Sequence, residues 1–151
     1  MHLKAVSSAV ILAVALAVCA PVHAGTQFAD PPPSVEKPRR IVLQLTSGEP
    51  QMMNAVLTNA ANLQKFYGPD HVEVVIVAYG PGMEALYGKT SPVAGRVSSL
   101  MHYDVKFTAC ANTMEATQHK ADELISGVEV VPAGIAEIVE RQLRGWIYVR
   151  P

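Results

Sequence analysis

Among the residue types able to do chemistry in this chain, Cys110 stands out by its surroundings. It closes the stretch VKFTAC (105–110) and precedes ANTM (111–114), where a strand-like run gives way to a helix-like one. A thiol there can serve as a nucleophile, because the thiolate is the reactive form and the start of a helix favours negative charge. Its sequence neighbours add little to that. No Arg or His flanks it, Glu115 falls in the same first turn, and Lys106 is about 13 Å away along an extended chain. The expected fall in its pKa is therefore modest. Two other outcomes stand beside a reactive thiol. Free cysteine is among the most buried residue types, so Cys110 can be an inert filler at a strand end, or it can pair with a thiol of another molecule.

The remaining side chains with chemical potential are less organised. His71, His102 and His119 have no metal-ligand spacing. His71 and His102 each precede a strand, at the edge opposite Cys110, and His119 is expected inside the helix that follows it. Gly80-Pro81-Gly82 lacks the GxGxxG pattern of dinucleotide sites, and no phosphate-binding GxxxxGK[ST] run occurs. No cofactor motif is found.

The elements that must position Cys110 are legible from periodicity and breakers. IVLQL (41–45) and VEVVIVAY (72–79) are apolar, β-branched runs, as expected of strands buried on both faces. VKFTAC (105–110), VEVV (128–131) and WIYV (146–149) are shorter strands. Between them, PQMMNAVLTNAANLQKFYG (50–68) places Met53, Val56, Leu57, Ala60, Leu63 and Phe66 at helical spacing, with Pro50 at its start and Gly68-Pro69 at its stop. A short helical turn is expected around 83–87. A second helix is expected from Ser91-Pro92 to Met101, and a third from Thr113 to Ile125, with Asn112 as N-cap and Glu115 completing a capping pair. A fourth carries Ile135, Ile138, Val139 and Leu143 on one stripe and ends at Gly145. Uninterrupted alternation of strand and helix predicts a three-layer α/β/α sandwich on a mostly parallel, five-stranded sheet. In such a sheet the strand-to-helix turns share one edge, where ligands bind. The candidate pocket residues are those of the turns: Ser47, Gly48, Gly80, Pro81, Gly82, Asn112, Pro132 and Gly134.

The N-terminus carries a different message. Lys4, the apolar run AVILAVALAV (9–18) and the small residues of PVHA (21–24) match a secretory leader cleaved after Ala24. The run is too short to cross a bilayer, which takes about 20 residues. Lipidation at Cys19 is disfavoured by the bulky Val18 before it. A Pro-rich linker, 25–39, then leads into a domain at 40–151. The processed chain has 11 basic and 13 acidic residues, a net charge of −2, which argues against nucleic acid or an anionic membrane surface as partner. Exported proteins commonly pair their cysteines, so one odd thiol in a periplasmic chain invites a functional explanation.

Together, IVLQLTSGEP, FYGPDHVEVVIVAYGPGMEAL, VKFTACANTM and GVEVVPAGIAEIVERQLRGWIYVRP resemble the DsrE/DsrF-like family from about Arg40 to Pro151. The resemblance implies a flavodoxin-like sandwich, homo- or hetero-oligomers (often trimers or hexamers) and sulfur relay through a persulfide on a cysteine at the end of a central strand, here Cys110. It also implies a sulfur-donor or sulfur-acceptor protein as partner, although familiar relay members are cytoplasmic and this chain carries an export signal. Two alternatives remain at this point: a non-catalytic oligomeric module that binds a small ligand in the Gly-Pro turns, and a redox-sensing thiol protein.

Overall fold

The computed structural model describes residues 25–151; the expected leader, with Cys19, lies outside the described residues. The order along the chain is β1 Arg39–Leu45, α1 Pro50–Tyr67, β2 Val72–Ala78, α2 Ala94–His102, β3 Lys106–Cys110, α3 Ala111–Ala116, β4 Glu129–Val131, α4 Gly134–Leu143 and β5 Ile147–Val149. The strands form one sheet in the order β4-β3-β2-β1-β5, with every neighbouring pair parallel. β1 and β2 pair along their full length, from Arg39 opposite Val72 to Leu45 opposite Ala78. Their β-branched side chains suit this position, since both faces are covered and Val74 to Ala78 are almost wholly buried.

Strand order decides which face each helix covers. The chain steps outward from β1 through β2 and β3 to β4, then returns to lay β5 on the far side of β1. Right-handed crossovers put helices from the outward steps on one face and the helix of the return step on the other. On the first face α1 buries Met53, Val56, Leu57 and Ala60, at the spacing expected of one helical stripe. With α2 and the sheet they build the large core around Leu43, Ile76 and Phe107. On the second face α4 stands alone. Its cluster is Val42, Val75, Val77 and Ile138, packed against Tyr79 and Trp146. The helical stripe expected on α4 is therefore divided. Ile138 faces the sheet and is 2 % exposed, whereas Ile135, Val139 and Leu143 face outward and are 57 %, 47 % and 77 % exposed. Arg141 stacks on Trp146 with its guanidinium carbon 4.6 Å from the ring centre and pairs with Glu137 at 2.7 Å, closing the end of α4 over β5.

Three local expectations are corrected. The third helix does not run from Thr113 to Ile125; it stops at Ala116. Glu123 to Ile125 instead pair with Leu86 to Gly88, with Gly88 N–H to Glu123 C=O and Ile125 N–H to Leu86 C=O both at 2.9 Å. Those bonds take backbone groups a longer helix would have used, and Gln118 turns the chain at φ +60°. Consequently His119 lies beyond the helix, stacked on Tyr87 with ring centres 4.0 Å apart and with Nδ1 2.8 Å from Glu123 Oε2. Asn112 is not the N-cap: Cys110 holds that position with extended backbone, and Asn112 is already helical. The second helix begins at Ala94; Ser91 accepts the Val93 N–H at 3.2 Å and donates to the Ala85 carbonyl at 2.7 Å.

Residues 25–38 contain no helix or strand, yet they rest on the domain. Phe28 packs on Phe66 and Tyr67 at ring separations of 5.4 and 5.8 Å, and Arg39 donates to the carbonyls of Ala29 and Pro31. No helix among the described residues is long and apolar enough to cross a membrane.

Ile138→Ala removes the one α4 side chain buried in the second core cluster. Its expected cost is about 2–5 kcal/mol of unfolding free energy, read from the midpoint of urea denaturation.

Candidate functional site

Cys110 lies at the carboxyl edge of the sheet, paired at its strand end with Val131 of β4. It is buried, with 5 % of its surface exposed. Its surroundings are not purely aliphatic, however. The backbone of Asn112 and Thr113 in the first turn of α3, the backbone of Gly134 at the start of α4 and the Thr113 hydroxyl all favour the charged form of the thiol. Burial pushes the thiol pKa up, but the bonds from the Thr113 hydroxyl and from the backbone of Gly134, Thr113 and Asn112 outweigh it and hold the pKa below the ordinary thiol value. The groups that lower it are all neutral donors, so the effect comes from oriented dipoles and needs no nearby cation.

Each of those donors is itself held in place. Thr113 Oγ1 accepts the Gly80 N–H at 3.0 Å, which leaves its own hydrogen for the sulfur. Asn112 N–H also meets the Pro132 carbonyl at 3.1 Å, tying α3 to the turn before α4. Cys110 N–H points to Met83 Sδ at 3.4 Å. A side chain on Gly134 would crowd its neighbours. A methyl group on it would stand 3.1 Å from Tyr79 Cβ and Cδ1 and 3.3 Å from Cys110 Cβ. Its absence lets the α4 backbone come down onto the thiol.

The turn residues singled out in the sequence divide into three groups. Cys110, Asn112, Pro132, Gly134 and Gly80 gather around the sulfur through the bonds just described. Gly80 and Asn112, with Pro81, also line a cavity of about 580 Å³ beside it, together with Met83, Tyr87 and Thr113. Glu84 is the one charged residue on its wall. Gly82, Gly48 and Ser47 serve the packing of the turns. A Cβ on Gly82 would come within 2.1 Å of the Leu45 carbonyl oxygen, one on Gly48 would stand 3.3 Å from the Pro81 carbonyl, and Ser47 Oγ accepts the Glu49 N–H at 3.2 Å. Another cavity, about 420 Å³ between α1 and β5, is lined by Leu43, Phe66, Tyr67 and Val149 and has no charged residue on its wall. Among the described residues, no group of three or more His, Cys, Asp or Glu could hold a metal ion.

Sequence reasoning missed the groups on the other flank of the thiol. Tyr79 follows β2 and packs against the α4 cluster. Its hydroxyl oxygen accepts from Gln44 Nε2 of β1, and Gln44 Oε1 accepts from the Tyr148 hydroxyl of β5. Burial first, and the neighbouring Tyr148 second, push the Tyr79 phenol above the ordinary tyrosine value. The available signal was a lone glutamine inside the apolar run IVLQL, a residue costly to bury unless it is hydrogen-bonded.

The profile of the DsrE/DsrF-like family matches residues 41–151. No curated protein matches the chain. Among solved structures, the chain is similar to MTH1491, a protein of unknown function from Methanobacterium thermoautotrophicum. The two are 34 % identical, with a TM-score of 0.71 over 75 % of this chain and 99 % of that one. A protein of unknown function from Bacteroides thetaiotaomicron, BT1422, shares the fold at 16 % identity and TM-score 0.60, covering 74 % of this chain and 94 % of its own.

Removing a donor from the sulfur tests this electrostatic account. Thr113→Val deletes a hydrogen bond to a charged group, worth about 1.5–3 kcal/mol, and Gly134→Ala lifts the α4 backbone away from the thiol. Because the thiolate is the stabilised form, losing a donor raises the pKa. The pH at which alkylation of Cys110 reaches half its maximal rate should therefore move upward in both variants. An unchanged midpoint in both contradicts the donor assignment.

Proposed function

Since this chain belongs to the DsrE/DsrF-like family, which is generally linked to sulfur relay, we propose that it carries sulfur as a persulfide on Cys110. The observation that supports this most directly is the set of neutral donors around Sγ. They favour an anionic sulfur at a buried position, which is the thiolate that must attack a donor and that is restored when the sulfur is passed on. In the forward step the Cys110 thiolate attacks the outer sulfur of a donor R–S–SH. A new S–S bond forms at Sγ, the donor's S–S bond breaks, and R–S⁻ departs with the bonding electron pair while the proton stays on the transferred sulfur. No external oxidant or reductant is consumed. The reverse displacement, by an acceptor thiolate on the outer sulfur, regenerates the Cys110 thiolate. A cavity of about 580 Å³ lies next to the turns that hold Gly80, Asn112 and Thr113, the residues that flank the thiol on that side. A protein donor or acceptor has to present a slender segment, because Cys110 is buried, with 5 % of its surface exposed.

Mass spectrometry after incubation with polysulfide tests the proposal. The wild-type chain should gain sulfur in 32 Da steps (the mass of one sulfur atom), on the peptide containing Cys110, and Cys110→Ser should gain none. No added sulfur on the wild type, or equal addition to Cys110→Ser, rules it out.

The proposal extends to assembly and place. The outward stripe of Ile135, Val139 and Leu143 on α4, with Ile147 exposed on the adjoining edge strand, is an apolar surface that self-association into a trimer or hexamer of identical chains would bury. Removal of residues 1–24 would deliver the chain to the periplasm, where a donor or acceptor protein would have to be found. Leu143→Asp places a charge in the middle of that surface. Sedimentation should show the wild type as an oligomer and this variant as a monomer with an unchanged circular dichroism spectrum; a wild type that sediments as a monomer at micromolar concentration contradicts assembly.

A further inference from the structure

The hydrogen-bonded chain Tyr148–Gln44–Tyr79 has a direction. The Tyr148 hydroxyl donates to Gln44 Oε1, and Gln44 Nε2 donates to the Tyr79 hydroxyl oxygen. Both ends of the Gln44 amide are thereby used toward the two tyrosines. The Tyr79 O–H hydrogen is left pointing onward, and among the described residues it donates to no acceptor. A half-buried phenol with its oxygen already accepting one bond and its hydrogen unused is an arrangement that suits an acceptor arriving from outside.

Its placement relative to Cys110 gives that acceptor an identity. The Cβ and Cδ1 atoms of Tyr79 and the Cβ of Cys110 pack against the same point on Gly134, so the ring starts beside the thiol. From there it extends to Gln44 on β1, which sets its hydroxyl a ring's length from that shared contact at Gly134. In-line displacement at sulfur sets attacking, transferred and departing atoms in a row. With S–S bonds of about 2.05 Å, the departing sulfur lies about 4 Å or more beyond Sγ, and a group that donates to it must stand farther out still. A donor adjacent to Sγ cannot serve that atom; one a ring's length away can. The raised pKa of the phenol keeps it protonated, and so able to donate, across the range in which the thiol is a thiolate.

We infer that Tyr79 is the hydrogen-bond donor to the leaving thiolate when Cys110 displaces sulfur from a donor, and that Gln44 and Tyr148 are positioning residues that aim it. This rests on the sulfur-carrier reading for its biological substrate. The chemistry is nevertheless general to S–S displacement: Cys110–S⁻ attacks R–S–S–R, the bond to Sγ forms, the S–S bond breaks, and R–S⁻ leaves with the electron pair, its developing charge met by the Tyr79 O–H.

Because the inference concerns the leaving group, it can be tested on the full chain with symmetrical disulfides whose thiols span a range of acidity, from nitro-substituted aryl disulfides to simple alkyl ones. Tyr79→Phe should react with the aryl disulfides at nearly the wild-type rate. With the alkyl ones, whose thiolates need most help in leaving, it should be slower by about tenfold, a modest share of the effect of losing one donor to a developing oxyanion. The dependence of rate on leaving-group acidity thus becomes steeper, while iodoacetamide, which has no departing sulfur, alkylates both proteins equally. Tyr148→Phe should show a smaller change in the same direction. Coincident slopes for wild type and Tyr79→Phe overturn the inference, as does a uniform slowing that includes iodoacetamide. A wild type that follows the predicted slopes but gains no mass from polysulfide leaves Tyr79 in its role and removes the sulfur-carrier reading instead.

Discussion

The chemistry of the carboxyl edge depends on how closely the first residue of α4 approaches the ends of β2 and β3. Gly134 has no Cβ, and so its backbone touches Tyr79 on one side and Cys110 on the other. One contact thereby fixes the position of three groups: an N–H directed at the sulfur, the sulfur itself, and the ring that leads away to Gln44. The dipoles around Sγ have to be rigid to be useful, since donors that must turn toward the charge during reaction give back part of what they contribute. Their rigidity is built into paired bonds. Thr113 is fixed by Gly80, Asn112 by Pro132 and Gly134 by packing.

Strand order explains why the site has two unlike flanks. Outward winding from β1 to β4 gathers α1, α2 and α3 on one face, and the cavity beside the thiol forms there among turns from β2 and β3. The return to β5 brings α4 and the last strand to the other face, where Tyr79, Gln44 and Tyr148 meet. The central position of β2 makes the two residues that follow it, Tyr79 and Gly80, the ones that touch both sides.

Much of this was readable along the chain. Apolar, β-branched runs separated by Gly and Pro gave the strands; helical spacing in 50–68 gave α1 almost to the residue; and Cys110 was marked by its place at a strand end. The failures share one cause, which is that partners distant in sequence outbid local preference. The stretch 113–125 has helical character, but its second half pairs with Leu86 to Gly88. The stripe on α4 looked uniform, yet a lone helix on a flat sheet can bury only its inner edge, so Ile138 and Leu143 part company. The residues Tyr148 and Gln44 are 104 positions apart and meet only because β5 returns beside β1. Local periodicity carries no information about such a meeting. Nor could the sequence reveal that the small turns do different work, with Gly134 making room at the sulfur and Gly82 making room for the Leu45 carbonyl.

The uneven layering also governs how the sulfur becomes available. Ile138 is the one α4 side chain buried beneath that helix, whereas the opposite face is secured by a continuous core. Partial opening of a folded protein proceeds where the fewest apolar contacts must be surrendered, and on that ground α4 is the weaker layer. Its first residue, Gly134, is also one of the groups that make the thiol more acidic. Any lifting of α4 at that end would therefore uncover the sulfur and reduce its acidity together.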